Sequence, residues 1–476
     1  MSTVRFETPD YDAEAPVLVV GAGAAGLVAA LAARGDGADV VVLERDPLPR
    51  GSTALSAGLI PAAGTRWQAA AGVEDDPERF ARDILAKAEH EPDPADVARL
   101  ASLSAPVLEW LADAHGLDVS LVDDFRYPGH SALRMHGLPS RSGEELVDRL
   151  REAAEAADVA ILTGAHATTL FATGDRRVTG VEIARPDGSC ERIGCGALVL
   201  ACNGYGGNRE LVGRHIPQMR DALYFGHPGN QGDAVLWGEA LGAATRHLSG
   251  HQGHGSVAHP HGILITWACL MEGGVQVNAE GRRFADESHG YSEAAAGVIA
   301  QPGGIAYSIF DARIAGIARQ FEDFRQAEAQ GAVIEAPDAA TLAARLGLPA
   351  DALAGTLSEV ERLKAQGAAD AFGRDFAGVP PLVPPYRAVR VTGALFHTQG
   401  GLVVDANARV LDPAGTPLPN LHAAGGAACG ISGSKASGYL SGNGLLTAVG
   451  WGYAAGRAAA ALSRRRPLSS SAAIPS

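Results

Sequence analysis

The run Val17-Leu18-Val19-Val20-Gly21-Ala22-Gly23-Ala24-Ala25-Gly26-Leu27, followed by Val40-Val41-Val42-Leu43-Glu44, decides the fold. Four successive apolar residues read as a strand buried on both faces, Gly21 to Gly26 as a tight turn, Leu27 to Ala33 as the helix it opens, and Val40 to Leu43 as a second strand. This order and spacing suit a dinucleotide. Gly21 and Gly23 let the backbone approach a pyrophosphate, Gly26 lets helix pack on strand, and the helix N-terminus faces the anion. Glu44, about twenty residues further on, is placed to accept hydrogen bonds from a ribose. The expected fold class is α/β with a Rossmann-type domain.

Bulk properties narrow the rest. A chain of 476 residues exceeds one small core and implies two or three domains. A net charge of −15 argues against nucleic-acid binding, which needs a basic face. Met1 to Pro16 is polar and acidic, unlike a secretory signal, and the apolar run Val17 to Ala33 is interrupted by three glycines and too short to span a membrane. A cytoplasmic protein with no membrane span is expected. Five cysteines form no CxxC pair and are odd in number, which argues against a disulfide framework or a zinc site. Cys202 and Cys269 lie in apolar runs and read as buried spectators. His247, His251, His254, His259 and His261 cluster without acidic or thiolate partners at ligand spacing, so no metal site is expected.

The middle of the chain adds α/β material. Glu144 to Ala156 has helical periodicity, Val159 to Leu162 and the region of Leu170 read as strands, and Val178 to Ala184 pairs with Cys190 to Ile193 around Pro186-Asp187-Gly188. Ala197 to Ala201 is a further strand, running into Cys202-Asn203-Gly204-Tyr205-Gly206-Gly207, a glycine-rich turn of the kind that binds ligands at strand ends. From His247 the character changes, with a helical region from Asp311 to Ala329 and an Ala/Leu-rich stretch from Ala340 to Gln366. The expected organisation is a discontinuous first domain, residues 1–246 and 381–476, with an inserted α+β capping domain at 247–380. The tail after about Arg464 reads as disordered.

Three C-terminal stretches complete the pattern: Phe396-His397-Thr398-Gln399-Gly400-Gly401-Leu402, Leu421-His422-Ala423-Ala424-Gly425-Gly426 and Gly438-Tyr439-Leu440-Ser441-Gly442-Asn443-Gly444. Together with Gly21 to Glu44, Gly51-Ser52-Thr53-Ala54-Leu55-Ser56-Ala57-Gly58 and Val277-Asn278-Ala279-Glu280-Gly281-Arg282-Arg283-Phe284-Ala285-Asp286-Glu287, they resemble the fumarate reductase and succinate dehydrogenase flavoprotein superfamily, which includes the 3-oxosteroid dehydrogenases. The resemblance implies a discontinuous FAD domain, a capping domain, and a substrate held between cap and isoalloxazine. It implies FAD contacts from Gly21, Gly23, Ala25 and Gly26, from Glu44 and Arg45, and from Ser52, Thr53, Ser56, Ala57 and Gly58. Further contacts fall on Ala167, Ala201, Asn203, Gly204 and Asp233, and on Gly425, Asn443, Gly444, Leu445 and Leu446. Gly426 departs from relatives that carry Glu after the Ala-Gly pair.

Of the family's dicarboxylate ligands, His254, Thr266 and His397 stand at matching places. Both arginines are missing. One position falls on Tyr291, the other on or beside Tyr439, and the family's proton-relay acid and arginine fall on Trp267 and Leu270. Two carboxylates in a closed pocket without guanidinium partners are not offset for desolvation, which disfavours fumarate or succinate as substrate. Glu287-Ser288-His289-Gly290-Tyr291 instead is similar to the oxosteroid dehydrogenase segment whose tyrosine abstracts a proton. The implied chemistry introduces a C=C bond next to a ketone: Tyr439 and the Gly442 N–H polarise the ketone, and Tyr291 removes the α-proton. Tyrosine with an ordinary pKa of about 10 is a poor base near neutrality, so a charge from His289 or His397 is expected to lower it. Lys435 is the extra cation that, in the pocket, would neutralise one carboxylate. Two other readings stand beside the desaturase: an ene-reductase of an unsaturated acid, and a non-catalytic flavin-binding partner protein. The electron acceptor is unidentified, since no haem motif, iron–sulfur cysteines or second nucleotide fingerprint is present.

Family members with covalent FAD carry a histidine where this chain has Ser52, so non-covalent FAD is expected. Acid precipitation of the holoprotein should release all flavin into the supernatant; yellow colour kept in the washed pellet contradicts this.

Overall fold

The computed structural model describes residues 3–123 and 125–465. The chain forms two compact units, one of residues 1–216, 226–251 and 397–476, the other of 217–225 and 252–396.

The first unit is organised by the decisive stretch. Ala13–Val20 and Val40–Leu43 are parallel neighbours in register, Val17 opposite Val40, and Ala24–Gly35 is the helix between them. The sheet runs Thr3–Arg5, His166–Ala172, Val178–Ala184, Cys190–Leu200, Ala13–Val20, Val40–Leu43, Ala160–Leu162. Pro417–Ala423 joins it parallel to Cys190–Leu200, with Leu198 opposite Leu421, so the C-terminal segment enters the sheet begun by the N-terminus. Cys190 to Leu200 is one continuous strand, merging two segments that the sequence suggested were separate. The C-terminal helix Asn443–Arg465 lies against Ala24–Gly35 at glycine contact distance. A Cβ at Gly452 would fall 2.6 Å from Ala25 O, and one at Gly456 2.1 Å from Ala29 O. Helix continues through Arg464 and Arg465; the rest of the expected disordered tail lies outside the described residues.

Beneath the turn Tyr439–Gly442 sits a buried ionic knot. The Arg134 guanidinium is fully buried against Asp75 (2.7 Å) and Asp83. It donates to His130 Nδ1 at 3.4 Å, and His130 Nε2 donates to Ser441 O at 3.0 Å.

The second unit has its own sheet, in the order Ile263–Leu264, His251–Ala258, Tyr386–Thr398, Ile305–Phe310, Val275–Val277, with Leu223–Tyr224 and Val333–Ala336 also pairing with Tyr386–Thr398. Its core gathers Phe310, Phe324, Phe376, Ile309 and Val389. The insert therefore ends at 396 rather than 380, and starts at 252 rather than 247, because Tyr386–Thr398 is a central strand of the insert's sheet. Residues 217–225 belong to it for the same reason, Leu223 pairing with Ala394. The helical region Asp311 to Ala329 is two helices, Ala312–Ala318 and Glu322–Ala329, and the Ala/Leu-rich stretch is Ala339–Leu346 and Ala350–Gln366, separated at left-handed Gly347. Among the described residues no helix is long and apolar enough to cross a membrane.

Removing one partner of a buried ion pair leaves the other charge uncompensated, at about 3–5 kcal/mol. Arg134→Met should therefore lower holoprotein stability by that amount in urea unfolding. A loss within the range of an exposed pair, below about 1 kcal/mol, contradicts the knot's role.

Candidate active site

The phosphate turn has the shape a dinucleotide needs. Gly21 has φ +106°, and a Cβ there would lie 2.5 Å from Ala201 O; a Cβ at Gly26 would lie 1.8 Å from Gly21 O. No side chain fits at either place, so the turn is bare backbone at the helix N-terminus. The Ala22 N–H donates to Glu44 Oε2 (2.9 Å) and the Asp46 N–H to Oε1 (3.0 Å), which holds the buried Glu44 carboxylate at the end of its strand. Thr53 Oγ1 accepts from the Ala24 N–H at 3.0 Å and ties the Ser52–Gly58 segment to the same turn. Ser56 Oγ donates to Thr53 O (2.7 Å) and accepts from the Gly58 N–H (3.1 Å).

Other expected cofactor residues take mixed positions. Ser52 Oγ accepts from Asn230 Nδ2 at 2.8 Å. Arg45 is bound to Gly229 O (3.1 Å) and Asp46 (3.6 Å), so its guanidinium anchors the 227–231 loop. Ala57 is exposed, whereas Ala167 is buried within a strand, Ala201 is buried just past the strand Cys190–Leu200, and Asp233 opens the helix Asp233–Ala240. Asn203 has φ +66° and accepts from the Gly204 N–H at 2.8 Å; a Cβ at Gly426 would lie 2.1 Å from its Oδ1. The Asn203 side chain thus fills the space that a side chain at position 426 would take. Gly425 has φ +59° and Leu445 is partly exposed. Leu446 is fully buried with its N–H bonded to Gly442 O at 2.9 Å, so it offers no free donor.

On the first unit, His397 and Tyr439 meet at the start of the C-terminal helix. Their ring centroids are 5.4 Å apart, edge to face. A Cβ at Gly444 would lie 3.2 Å from His397 Nε2 and 3.7 Å from the Tyr439 hydroxyl, so both polar tips face the helix N-terminus. Burial holds the His397 imidazole down to about 4, with the Thr398 carbonyl opposing and His251 adding to the shift. Burial pushes the Tyr439 phenol up to about 12, partly offset by the Gly444 and Gly442 N–H groups acting on its oxygen. Gly442 thus supports Tyr439 directly. His251 donates from Nδ1 to Ser249 O (2.8 Å), and its buried Nε2 has no partner among the described residues.

On the second unit, Tyr291 opens the helix Tyr291–Ile299 and stacks on His254 at 4.9 Å and 21°. His254 stacks in turn on Phe396 at 5.4 Å, and Phe396 on Phe225 at 4.8 Å. The Trp267 edge abuts His254 at 5.8 Å. Burial holds His254 at about 3, and its Nδ1 accepts from the Ser256 N–H (3.1 Å), which leaves the proton on Nε2. Thr266 Oγ1 accepts from the Ala268 N–H at 3.3 Å. The Tyr291 segment is pinned by Glu287, buried between Arg283 and Arg374 (2.9 Å), with Arg283 also paired to Asp370. Glu287 accepts from the Gln276 N–H at 2.9 Å, and its carbonyl from Trp267 Nε1 at 3.1 Å.

Two sequence expectations are overturned. Lys435 is at the surface, 59 % exposed, and binds Glu89 at 2.6 Å, so it neutralises that carboxylate and no substrate group. His289 is exposed and faces Asp286 at 3.4 Å, while His397 is uncharged at working pH. A neutral His397 does not supply the positive charge expected to lower the Tyr291 pKa. Sequence reading missed Gln399, which bonds His397 and is itself held by Ser432 33 residues on, and His130, whose bond to Ser441 spans 311 residues.

The profile of the FAD binding domain family matches residues 16–445. The chain belongs to this family. It is 33 % identical over 450 residues to the probable fumarate reductase Ifc3 of Shewanella frigidimarina, covering 93 % of this chain and 74 % of that protein. It is 28 % identical over 562 residues to the 4-oxocyclohexanecarboxylate 2-dehydrogenase of Sinomonas cyclohexanicum, covering 93 % of this chain and 95 % of that protein. The open conformation of a flavocytochrome c3 fumarate reductase matches with a TM-score of 0.82 and 32 % identity, over 95 % of this chain and 79 % of that one. As a member of the fumarate reductase branch of the FAD binding domain family, the chain is an FAD-dependent oxidoreductase acting on C=C and CH–CH bonds, and the non-catalytic reading is set aside. The bare-backbone turn, Glu44 and Asn203 fit that cofactor. Among the described residues no group of three His, Cys, Asp or Glu is arranged to hold a metal.

The histidines His130, His136, His397 and His422 are held at about 4 and His254 at about 3, all by burial. The native state stays neutral where the unfolded chain takes up protons below the ordinary 6.5. Stability is therefore complete above 6.5 and lost as pH falls toward about 4, by ~1.4 kcal/mol per pH unit for each histidine. Chemical unfolding of the holoprotein across this window should show that slope; constant stability contradicts the buried neutral assignment.

Proposed function

We propose that this enzyme desaturates a small cyclic ketone, forming a C=C bond between the carbons α and β to the carbonyl. The observation that carries the reading is the absence of positive charge among the groups assigned to substrate. His254 and His397 are kept neutral, Tyr439 is a neutral donor, and Lys435 is engaged by Glu89 at the surface. Neutral donors suit a ketone oxygen, while a dicarboxylate would lose hydration without an ionic partner. The likeness to a 4-oxocyclohexanecarboxylate 2-dehydrogenase over nearly its whole length points the same way.

In this reading the Tyr439 hydroxyl and His397 Nε2–H donate to the ketone oxygen and stabilise the charge that develops there as the α-proton leaves. Tyr291, reacting as its phenolate, accepts that proton, its ring position fixed by His254 and by the Glu287 anchor. Bound FAD supplies the acceptor for the hydride lost from the β-carbon, so the substrate loses one proton and one hydride in all. The segment around Ser52 would hold FAD without a covalent link; the Ser52 hydroxyl accepts from Asn230. A second reading, reduction of an unsaturated acid, draws on the likeness to Ifc3 and runs the same exchange in reverse.

Tyr291→Phe should keep FAD content and ligand binding while slowing anaerobic flavin reduction by roughly a hundredfold or more, the scale for a lost acid or base. Tyr439→Phe should raise the barrier by about 2–4 kcal/mol, as for one lost polarising donor. Near-wild-type reduction by Tyr291→Phe rejects the desaturase mechanism.

A further inference from the structure

We propose that Gln399 is the positioning residue that makes His397 a hydrogen-bond donor toward substrate. Gln399 Nε2 lies 2.9 Å from His397 Nδ1, well inside the 3.5 Å at which the Thr398 carbonyl approaches the same nitrogen, beyond the usual hydrogen-bond range, and Gln399 Oε1 accepts from Ser432 Oγ at 2.8 Å. Ser432 Oγ in turn accepts from Asn443 Nδ2 at 3.1 Å. The direction of each bond is set by its neighbour. A hydroxyl that accepts from the Asn443 amide has its own proton for Gln399 Oε1; an amide whose oxygen is so engaged turns its NH2 to the imidazole; and a ring nitrogen that accepts cannot carry hydrogen. The one proton of the neutral ring therefore stands on Nε2, the tip beside Gly444 and the Tyr439 hydroxyl.

All members of this chain are buried, Gln399 at 5 % exposure, Ser432 at 1 % and Asn443 at 0 %, so water does not compete for the bonds. The space is shaped for the amide: a Cβ at Gly430 would lie 3.1 Å from Gln399 Oε1. His251 provides a contrast within the same unit, because its donation from Nδ1 to Ser249 O puts its lone pair on Nε2. His397 and His251 are thus opposite tautomers.

That the Nε2–H of His397 meets a ketone rests on the function proposed above; the tautomer itself does not, and it is measured separately. Histidine-labelled, FAD-loaded full-length enzyme is examined by nitrogen NMR from about pH 5 to about pH 9, with His397→Asn and His251→Asn identifying the two rings. The expected result is a neutral Nε2–H ring at His397 and a neutral Nδ1–H ring at His251. In Gln399→Glu, a carboxylate replaces the donor, so the His397 proton should move to Nδ1 and an imidazolium should appear within the measured range. Anaerobic flavin reduction by the ketone that reduces wild type should then gain a matching ionisation and fall by roughly tenfold or more, with Michaelis constants little changed. Ser432→Ala, which touches neither His397 nor its neighbour Tyr439, should give mixed tautomers at His397 if Gln399→Glu does not fold. A wild-type Nδ1–H ring at His397, or an unchanged tautomer in both variants, overturns the assignment. The expected tautomer in an enzyme that no ketone reduces retains the Gln399 role and removes the ketone reading.

Discussion

Burial keeps the imidazoles of His254 and His397 uncharged, and much of the remaining architecture serves to make that tolerable. A neutral imidazole in the interior still carries one donor and one acceptor, and each must be matched. At His254 the acceptor is matched by the Ser256 N–H; at His397 by the Gln399 amide. In both rings the hydrogen is thereby left on Nε2. Each ring gains a directional donor and no net charge.

Support for these groups comes from charges that cancel elsewhere. In the first unit Arg134 is balanced by Asp75 and Asp83, and its bond to His130 steadies the Ser441 carbonyl within the turn that carries Tyr439. In the second, Glu287 is balanced by Arg283 and Arg374 and pins the strand-to-helix passage that ends in Tyr291. These three guanidinium groups are engaged in buried ion pairs that fix backbone.

The sequence reveals what is local. The turn from Gly21 to Gly26 and the carboxylate of Glu44 lie within one βαβ unit, so their spacing alone predicts their geometry. Tyr291, Tyr439, His254 and His397 are named by ordered motifs, and the structure sets His397 against Tyr439 and His254 against Tyr291. Side-chain partnerships were not. Lys435 looks like a free cation until folding brings Glu89, 346 residues away, to its ammonium group. Gln399 looks like a loop residue until Ser432, 33 residues on, closes on its amide. The end of the insert was misplaced because Tyr386–Thr398 carries sheet residues of one unit directly into the His397 motif of the other, with no linker composition between them.

The central claim is that the site recognises a neutral carbonyl with neutral donors. Anaerobic mixing of the oxidised holoenzyme with cyclic ketones, with 4-oxocyclohexanecarboxylate and with succinate, followed by flavin absorbance, tests it most directly. The account predicts bleaching by a cyclic ketone or its monocarboxylate and none by succinate. Bleaching by succinate, or rapid reoxidation of the reduced enzyme by fumarate with no response to any ketone, would contradict it.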